Sequence, residues 1–330
     1  MAVVGATGAV GREMLRVLER RNFPLSELTL LASSRSAGRE LEFRGEKLPV
    51  RELKEDVFEG IDIALFSAGG SVSRRFVPIA AKSGCVVIDN SSAFRMDPDT
   101  PLVVPEINAE AVRRHRGVIA NPNCTTAITL MALHPLHKAF HVTRLIAATY
   151  QAVSGAGAKA IEELRGQVEA LAANKPISCE VFPYQIAFNA IPHVDSFQPN
   201  GYTREEMKLE NEARKIMSHP ELRASATCVR VPVYRAHSVA VAAEFREPVS
   251  VEAARQALEA APGLDVLDEP EKLVYPTPLH VAEKDNCAVG RLRKDIAFDN
   301  GLSFWVAGDQ LLKGAALNAV QIAEELLKSA

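Results

Sequence analysis

Short apolar runs and helical stretches alternate through the first third of the chain. "MAVV" at 1–4 is followed by a helical pattern at Arg12–Arg21 and then by "LTLLAS" at 28–33. "IDIALFS" at 61–67 leads into a second helical stretch from near Ser71, and "CVVID" at 85–89 comes after it. Continuous apolar runs between helices mark strands buried on both faces, the condition of a parallel sheet with helices on either side. The pattern predicts a doubly wound α/β domain.

The pattern changes after Cys124. A helix is predicted from about Thr125 to Leu136, then the run "LIAATYQAV" at 145–153 and a helix at Ala158–Ala173. A loop-like stretch precedes a charged helix at Thr203–Met217. "ATCVRVPVY" and "SVAVAAEF" read as long strands. In the second, Val239, Val241, Ala243 and Phe245 alternate with smaller or polar residues, as in a half-buried antiparallel strand. "LSFWVAG" at 302–308 and a helix at Leu311–Leu327 close the chain. This half is predicted to be α+β, with the last helix returning to the first domain.

A length of 330 residues accommodates two domains with their own cores. The net charge of −3 offers no basic surface for nucleic acid or anionic lipid. No apolar run approaches a bilayer span, and no secretory signal opens the chain. Only four residues precede the first glycine, so the start is expected to lack a residue or two. The cysteines at 85, 124, 179, 228 and 287 are odd in number and form no CxxC pair. That argues against a disulfide framework and a zinc site and fits a reducing cytoplasm. His134, His137 and His141 have metal-like spacing, but no carboxylate or cysteine joins them. They read as surface histidines near a helix end, and no metal is expected.

"GATGAVG" places Gly5, Gly8 and Gly11 between the first strand and its helix. Glycines there permit a tight turn and let backbone N–H groups reach a pyrophosphate at the helix N-terminus. An NAD site usually offers an acid at the end of the second strand for the ribose hydroxyl. Here the strand runs into "SRSAGR", with Ser34, Arg35 and Ser36 and no acid, which suits the 2′-phosphate of NADP.

"ANPNCTT" at 120–126 gives a cysteine polar neighbours on both sides. Pro122 disfavours helix at Asn121, and helical periodicity begins just past Cys124. A cysteine at a helix N-terminus is biased toward thiolate, below its usual pKa of about 8.5. The N–H groups there, with Asn123, suit an oxyanion on an attacked carbonyl. The other four cysteines fit ordinary buried packing. A nucleotide domain with an activated thiol suggests aldehyde chemistry through a thioester.

The chain resembles the aspartate-β-semialdehyde dehydrogenase family over nearly its whole length. The resemblance is carried by "VVGATGAVG", "SSAFRMD", "VVPEIN", "NPNCTT", "TYQAVSGAG", "PHVD", "CVRVPVYRAHS" and "KGAALNAVQ". Glyceraldehyde-3-phosphate dehydrogenase also sets a cysteine before two threonines, but the acid expected there after the second strand is absent. The resemblance implies a Rossmann-like NADP-binding domain at 1–126, with 309–330 returning to it, and an α+β catalytic and dimerisation domain at 127–308. It further implies a homodimer and the substrate aspartyl-4-phosphate. Cys124 would be the nucleophile, Gln151 a substrate contact and His237 the proton-transfer residue. Arg95 and Lys208 match phosphate-binding positions, Arg230 the carboxylate clamp and Glu205 the ammonium-binding acid. On the cofactor side the resemblance covers Thr7, Gly8, Ala9, Val10, Arg35, Ser36, Ser154 and Gly155. The family's asparagine near the nicotinamide is replaced here by Gln310, an amide on a longer arm.

Spacing alone is weaker. Glu205 and Lys208, three apart on a helix, would by themselves be an ordinary surface ion pair. Arg230 and His237 are an odd seven residues apart and would lie on opposite faces of one strand. They converge only if the chain bends, with Arg235–Ala236 the expected place. Two other readings stay open: an N-acetyl-glutamyl-phosphate reductase, which needs no ammonium-binding acid, and a non-catalytic NADP-binding regulator.

Overall fold

The computed structural model describes residues 1–329. They form two compact units, residues 1–123 with the chain from 315 onward, and residues 124–314.

In the first unit seven strands form one sheet: β1 (Ala2–Val4), β2 (Thr29–Ala32), β3 (Glu40–Phe43), β4 (Glu46–Glu52), β5 (Ile63–Phe66), β6 (Val86–Asp89) and β7 (Val118–Ala120). Their order is β3-β4-β2-β1-β5-β6-β7. All neighbours are parallel except β3, which runs antiparallel to β4. From β4 to β7 this is the doubly wound order, and it reverses direction between β1 and β5. The helices α1 (Ala9–Arg20) and α2 (Gly70–Lys82) begin beyond those two strands. Every residue of β1 and β5 is buried, which explains their unbroken apolar runs. The β3–β4 hairpin has no such signature, because most of its residues are exposed and charged. Its turn is marked only by positive φ at Arg44 and Gly45, as a two-residue hairpin requires. The terminal helix, Leu317–Ser329, belongs to this unit. Glu324 receives both Arg21 Nε and Nη2, at 2.7 and 2.8 Å, and Asn318 Nδ2 donates to Val103 O and Asn121 Oδ1.

The second unit is a six-stranded mixed sheet of β8 (Val142–Gln151), β9 (Arg223–Arg230), β10 (His237–Phe245), β11 (Leu264–Val266), β12 (Cys287–Lys294) and β13 (Gly301–Gly308). The order is β11-β12-β13-β10-β8-β9. Helix α3 (Cys124–Phe140) packs on β8, β10 and β13. Its residues from Thr125 to Leu133 are all buried, because α5 (Arg204–Ile216) and α6 (Val251–Glu259) close over it. Helix α4 (Ala158–Ala172) lies between α3 and α5 in the chain. Along β8, Leu145, Ala147, Thr149 and Gln151 face inward, while Ile146 and Tyr150 point outward. Tyr150 meets Trp305 of β13 with ring centroids 5.1 Å apart.

The histidines read as surface groups are instead half-buried. His219, past the end of α5, stacks on His137 at 4.7 Å and meets His141 at 4.9 Å. Its Nε2 lies 2.8 Å from Val142 O. Spacing within one helix could not show that a fourth histidine, about eighty residues away, would cover them. Burial pushes His134 and His137 down from 6.5 to about 4, with neighbouring Lys138 adding to His134 and the other histidines to His137. The unfolded chain therefore takes up these protons first as pH falls. Their contribution is present above pH 6.5 and is lost as pH falls from there toward about 4. In urea titrations, stability should fall across that window, and His137→Gln should flatten the slope relative to the parent protein. An unchanged slope would contradict the burial of His137.

Candidate active site

The first unit carries the glycine loop. Gly5 has φ +85, and a Cβ there would lie 2.4 Å from Ser67 O, just beyond β5. A Cβ on Gly11 would lie 2.2 Å from Gly5 O, so the helix packs directly on the turn. Gly8 N donates to Gly5 O at 3.0 Å and leads into α1, whose start has neither a side-chain cap nor an acid in its first turn. Ala9 and Val10 open that helix, leaving N–H groups for an anion. Thr7 Oγ1 donates to Ser36 Oγ at 3.4 Å, joining the loop to the short turn Ser34–Ser36. Arg35 on that turn is exposed. This donor set fits the phosphates of a dinucleotide.

The second unit's polar cluster forms at one end of the sheet. Gln151 ends β8 and is the register partner of Arg230, which ends the parallel β9. The chain then crosses the end of β8, where Val153 N donates to Val233 O and Val231 N to Gln151 O. Ala236, at φ +74, turns it into β10 on the other side. This left-handed residue is the bend that the odd spacing demanded. Arg230 and His237 belong to different strands flanking β8, so alternation along one strand does not separate them.

The backbone of Ala152 grips both. Its N–H donates to His237 Nδ1 at 3.0 Å, and its carbonyl accepts from Arg230 Nη1 at 2.7 Å. A Cβ on Gly155 would lie 2.9 Å from Arg230 Nη1 and 3.2 Å from His237 Nε2, so both groups crowd the face of that glycine. Burial pushes the Arg230 guanidinium down from its usual value, while Glu205 and then Cys124 oppose that shift. Phe182 lies under the guanidinium at 5.9 Å. His237 is fully buried and pushed down to about 3, chiefly by burial and then by the Arg230 charge.

Cys124 is half-buried at the first position of α3. Gly314 admits it closely, since a Cβ on that glycine would lie 2.7 Å from the cysteine Cβ. Thr125, the next residue, accepts from Gln151 Nε2 at 2.8 Å, and Glu205 Oε1 accepts from the same nitrogen at 2.9 Å. Thr149 Oγ1 donates to Gln151 Oε1 at 3.3 Å. A capping box between Thr203 and Glu206 starts α5 and sets Glu205 and Lys208 on its inward face. Lys208 Nζ donates to Glu205 Oε2 at 2.8 Å and to Asp195 Oδ2 at 2.9 Å. Burial works against the lysine charge, but the two carboxylates outweigh it and raise its pKa. The pair is thus far from an ordinary surface contact.

Gln310 is buried, with its Oε1 accepting from Ala236 N at 2.7 Å and its Nε2 donating to Ser154 Oγ. It holds the left-handed bend in front of His237. In the first unit, Arg95 donates from Nε to Asn121 O at 2.9 Å and from Nη2 to Asn90 O at 2.8 Å. It braces the approach through Pro122 and the buried Asn123. Sequence reasoning missed Thr125, Ala152, Asp195 and Gly314, while the bend expected at Arg235–Ala236 is present at Ala236. Asp195 lay in the quoted "PHVD" and Gly314 in "KGAALNAVQ", but nothing in the sequence shows a backbone clamp. Among the described residues no group of three His, Cys, Asp or Glu side chains is placed to hold a metal ion, and no helix is long and apolar enough to cross a membrane.

Comparison with known proteins agrees with this construction. Residues 1–115 match the family profile "Semialdehyde dehydrogenase, NAD binding domain", and residues 133–313 match "Semialdehyde dehydrogenase, dimerisation domain". The chain is 53% identical to the aspartate-semialdehyde dehydrogenase of Aquifex aeolicus, covering 99% of this chain and 98% of that protein. The Bacillus subtilis enzyme of the same name is 52% identical, with 99% and 97% covered. The crystal structure of aspartate semialdehyde dehydrogenase II from Vibrio cholerae, complexed with ASA, superposes with a TM-score of 0.96 at 47% identity, covering 99% of this chain and 97% of that one. With matches of that extent and a polar cluster built on the motif residues, the chain belongs to the aspartate-semialdehyde dehydrogenase family.

Proposed function

We propose that this protein is an NADP-dependent aspartate-semialdehyde dehydrogenase. In the biosynthetic direction it would convert L-aspartyl-4-phosphate to L-aspartate 4-semialdehyde, with release of phosphate, on the route to lysine, threonine and methionine. The observation that supports this reading is the Ala152 clamp, which seats Arg230 beside His237, next to Gln151, whose amide reaches Thr125, the residue after Cys124. The Cys124 thiolate attacks the acyl carbon, a C–S bond forms, the C–O bond to phosphate breaks, and a thioester results. Helix-start N–H groups and Asn123 favour the thiolate and the oxygen it charges. Arg230 holds the α-carboxylate bidentately, and Gln151, fixed by Thr125 and Glu205, contacts the substrate.

The buried Glu205 offers the charge an α-ammonium needs, which favours aspartyl phosphate over an N-acetylated substrate. Lys208 meets the phosphate when that anion displaces Asp195. The glycine loop with Thr7, Ala9, Val10, Arg35 and Ser36 would hold NADP. When bound, its reduced form supplies the hydride that takes the thioester to the aldehyde. The outward sheet face with Ile146 and Tyr150, 53% and 38% exposed, fits the contact of a homodimer. Cysteines that form no disulfide among the described residues fit a cytoplasmic enzyme.

The purified protein with aspartate semialdehyde should reduce NADP only when phosphate is present, and should reduce NAD far more slowly. Phosphate-independent reduction, or equal rates with both nucleotides, would count against the assignment. Arg230→Lys should raise KM for the semialdehyde about tenfold or more, because a point charge cannot replace the guanidinium fork. An unchanged KM would remove Arg230 from carboxylate binding.

A further inference from the structure

Asp309 directly follows β13 and is fully buried, yet no step of the chemistry uses it. Its two carboxylate oxygens serve different segments. Oδ1 accepts from Leu311 N at 2.9 Å and from Leu312 N at 3.3 Å, and the main-chain carbonyl accepts from Leu312 N and Gly314 N, each at 3.1 Å. Such N–H groups are left without partners at a helix start, and here they open the π-helical turn Leu312–Ala316. Oδ2 accepts from Arg235 Nε at 2.5 Å and from Glu283 N at 2.7 Å. Arg235 leads into the bend at Ala236, and Glu283 is itself left-handed, at φ +65. One carboxylate thus ties two left-handed backbone sites to one turn. The four N–H groups on its oxygens, from Leu311, Leu312, Arg235 and Glu283, are all donors. An ionised carboxylate is acceptor-only and answers all of them, whereas an amide would turn its NH₂ toward one pair whichever way it were flipped.

The turn that Asp309 opens lies against Cys124. A Cβ on Gly314 would lie 2.7 Å from Cys124 Cβ and 3.1 Å from its Cα, so the cysteine packs on bare backbone. Any shift of that turn moves the surface on which the cysteine sits. Turns of the π type are rare and recur at functional sites. We propose that Asp309 is a positioning residue for Cys124: its carboxylate, with Arg235 as counter-charge, holds the backbone of residues 312–314 as the wall against which the cysteine is seated. This role rests on Cys124 being the nucleophile of the reading above, and Asp309 acts without touching substrate. Loosening the wall misplaces the thiol for attack while opening it to small reagents. Turnover and alkylation should therefore move in opposite directions.

The test uses the whole enzyme carrying Asp309→Asn, which keeps the size of the side chain and loses one acceptor. With aspartate semialdehyde, NADP and phosphate, kcat should fall about 10²-fold, the scale of a displacement of about 1 Å, while the KM values stay within about threefold. Iodoacetamide at neutral pH, read by peptide mass analysis, should label Cys124 faster than in the parent and leave the buried Cys85 and Cys228 unchanged. Arg235→Lys keeps the charge without the guanidinium Nε and should show the same pattern, with a loss of about tenfold in kcat. It carries the test where Asp309→Asn does not fold. Parental kcat and labelling in either folded variant would overturn the proposal. So would a loss expressed in KM with kcat intact, or faster labelling of Cys85 and Cys228 along with Cys124, which marks general loosening. Should the parent enzyme fail to reduce NADP, the substrate reading falls, while the labelling of Cys124 against Cys85 and Cys228 still tests the wall.

Discussion

One residue's backbone organises the polar cluster of the second unit. Ala152 follows the last residue of β8, and its N–H and C=O point to His237 and Arg230 respectively. Those two side chains come from strands on opposite sides of β8, joined by a segment that crosses its end. A side-chain contact could be lost by substitution, but a backbone contact survives any residue the chain accepts at 152. What the clamp requires is the path of the chain. That path depends on Ala236 holding a conformation costly for an ordinary residue, by roughly 1–3 kcal/mol. Gln310 offsets the cost with a hydrogen bond to the Ala236 N–H. Gln310, Ser154 and Ala236 thereby connect the end of β13 to the imidazole.

Charge in the cluster is distributed in the same economical way. Arg230 and Lys208 supply two cations, and Glu205 and Asp195 answer them. Glu205 reaches both Gln151 and Lys208, so the carboxylate fixes the neutral amide and the ammonium together. Gln151 in turn reaches Thr125, the neighbour of Cys124. A displacement anywhere along Lys208–Glu205–Gln151–Thr125 is therefore felt one residue from the thiol. His237 stands outside this exchange of charge, because burial and the adjacent guanidinium both favour its neutral form.

The fold was legible wherever burial shaped composition. Fully buried β1 and β5, and β6 buried from Val87 onward, gave apolar runs, and alternating burial in β10 gave its period of two. The exposed β3–β4 hairpin gave neither, so it went unread. The "CVRVPVY" run suggested a strand through Tyr234, yet β9 ends at Arg230, because Val231–Ala236 must cross to the far side of β8. The thiol's place was readable from proline, polar neighbours and the onset of helical period. The histidine cluster around His219 was not, since stacking across distant segments leaves no local period. The roles expected for Arg230, Glu205 and Lys208 came from resemblance, because the spacing of Glu205 and Lys208 alone fits a surface ion pair and that of Arg230 and His237 alone sets them on opposite faces of a strand. Ala152 carries no functional group and its clamp could be found only in three dimensions, whereas the odd spacing of Arg230 and His237 already pointed to a bend at Arg235–Ala236.

The account turns on covalent chemistry at the first residue of α3. The direct measurement is peptide mass analysis after acid quench of enzyme mixed with aspartate semialdehyde and NADP, with phosphate withheld. Hydride removal without phosphate should leave an aspartyl thioester on the peptide carrying Cys124, and the adduct should vanish when phosphate is added before the quench. Turnover with no adduct on Cys124, or an adduct carried by another of the five cysteines, would contradict the account.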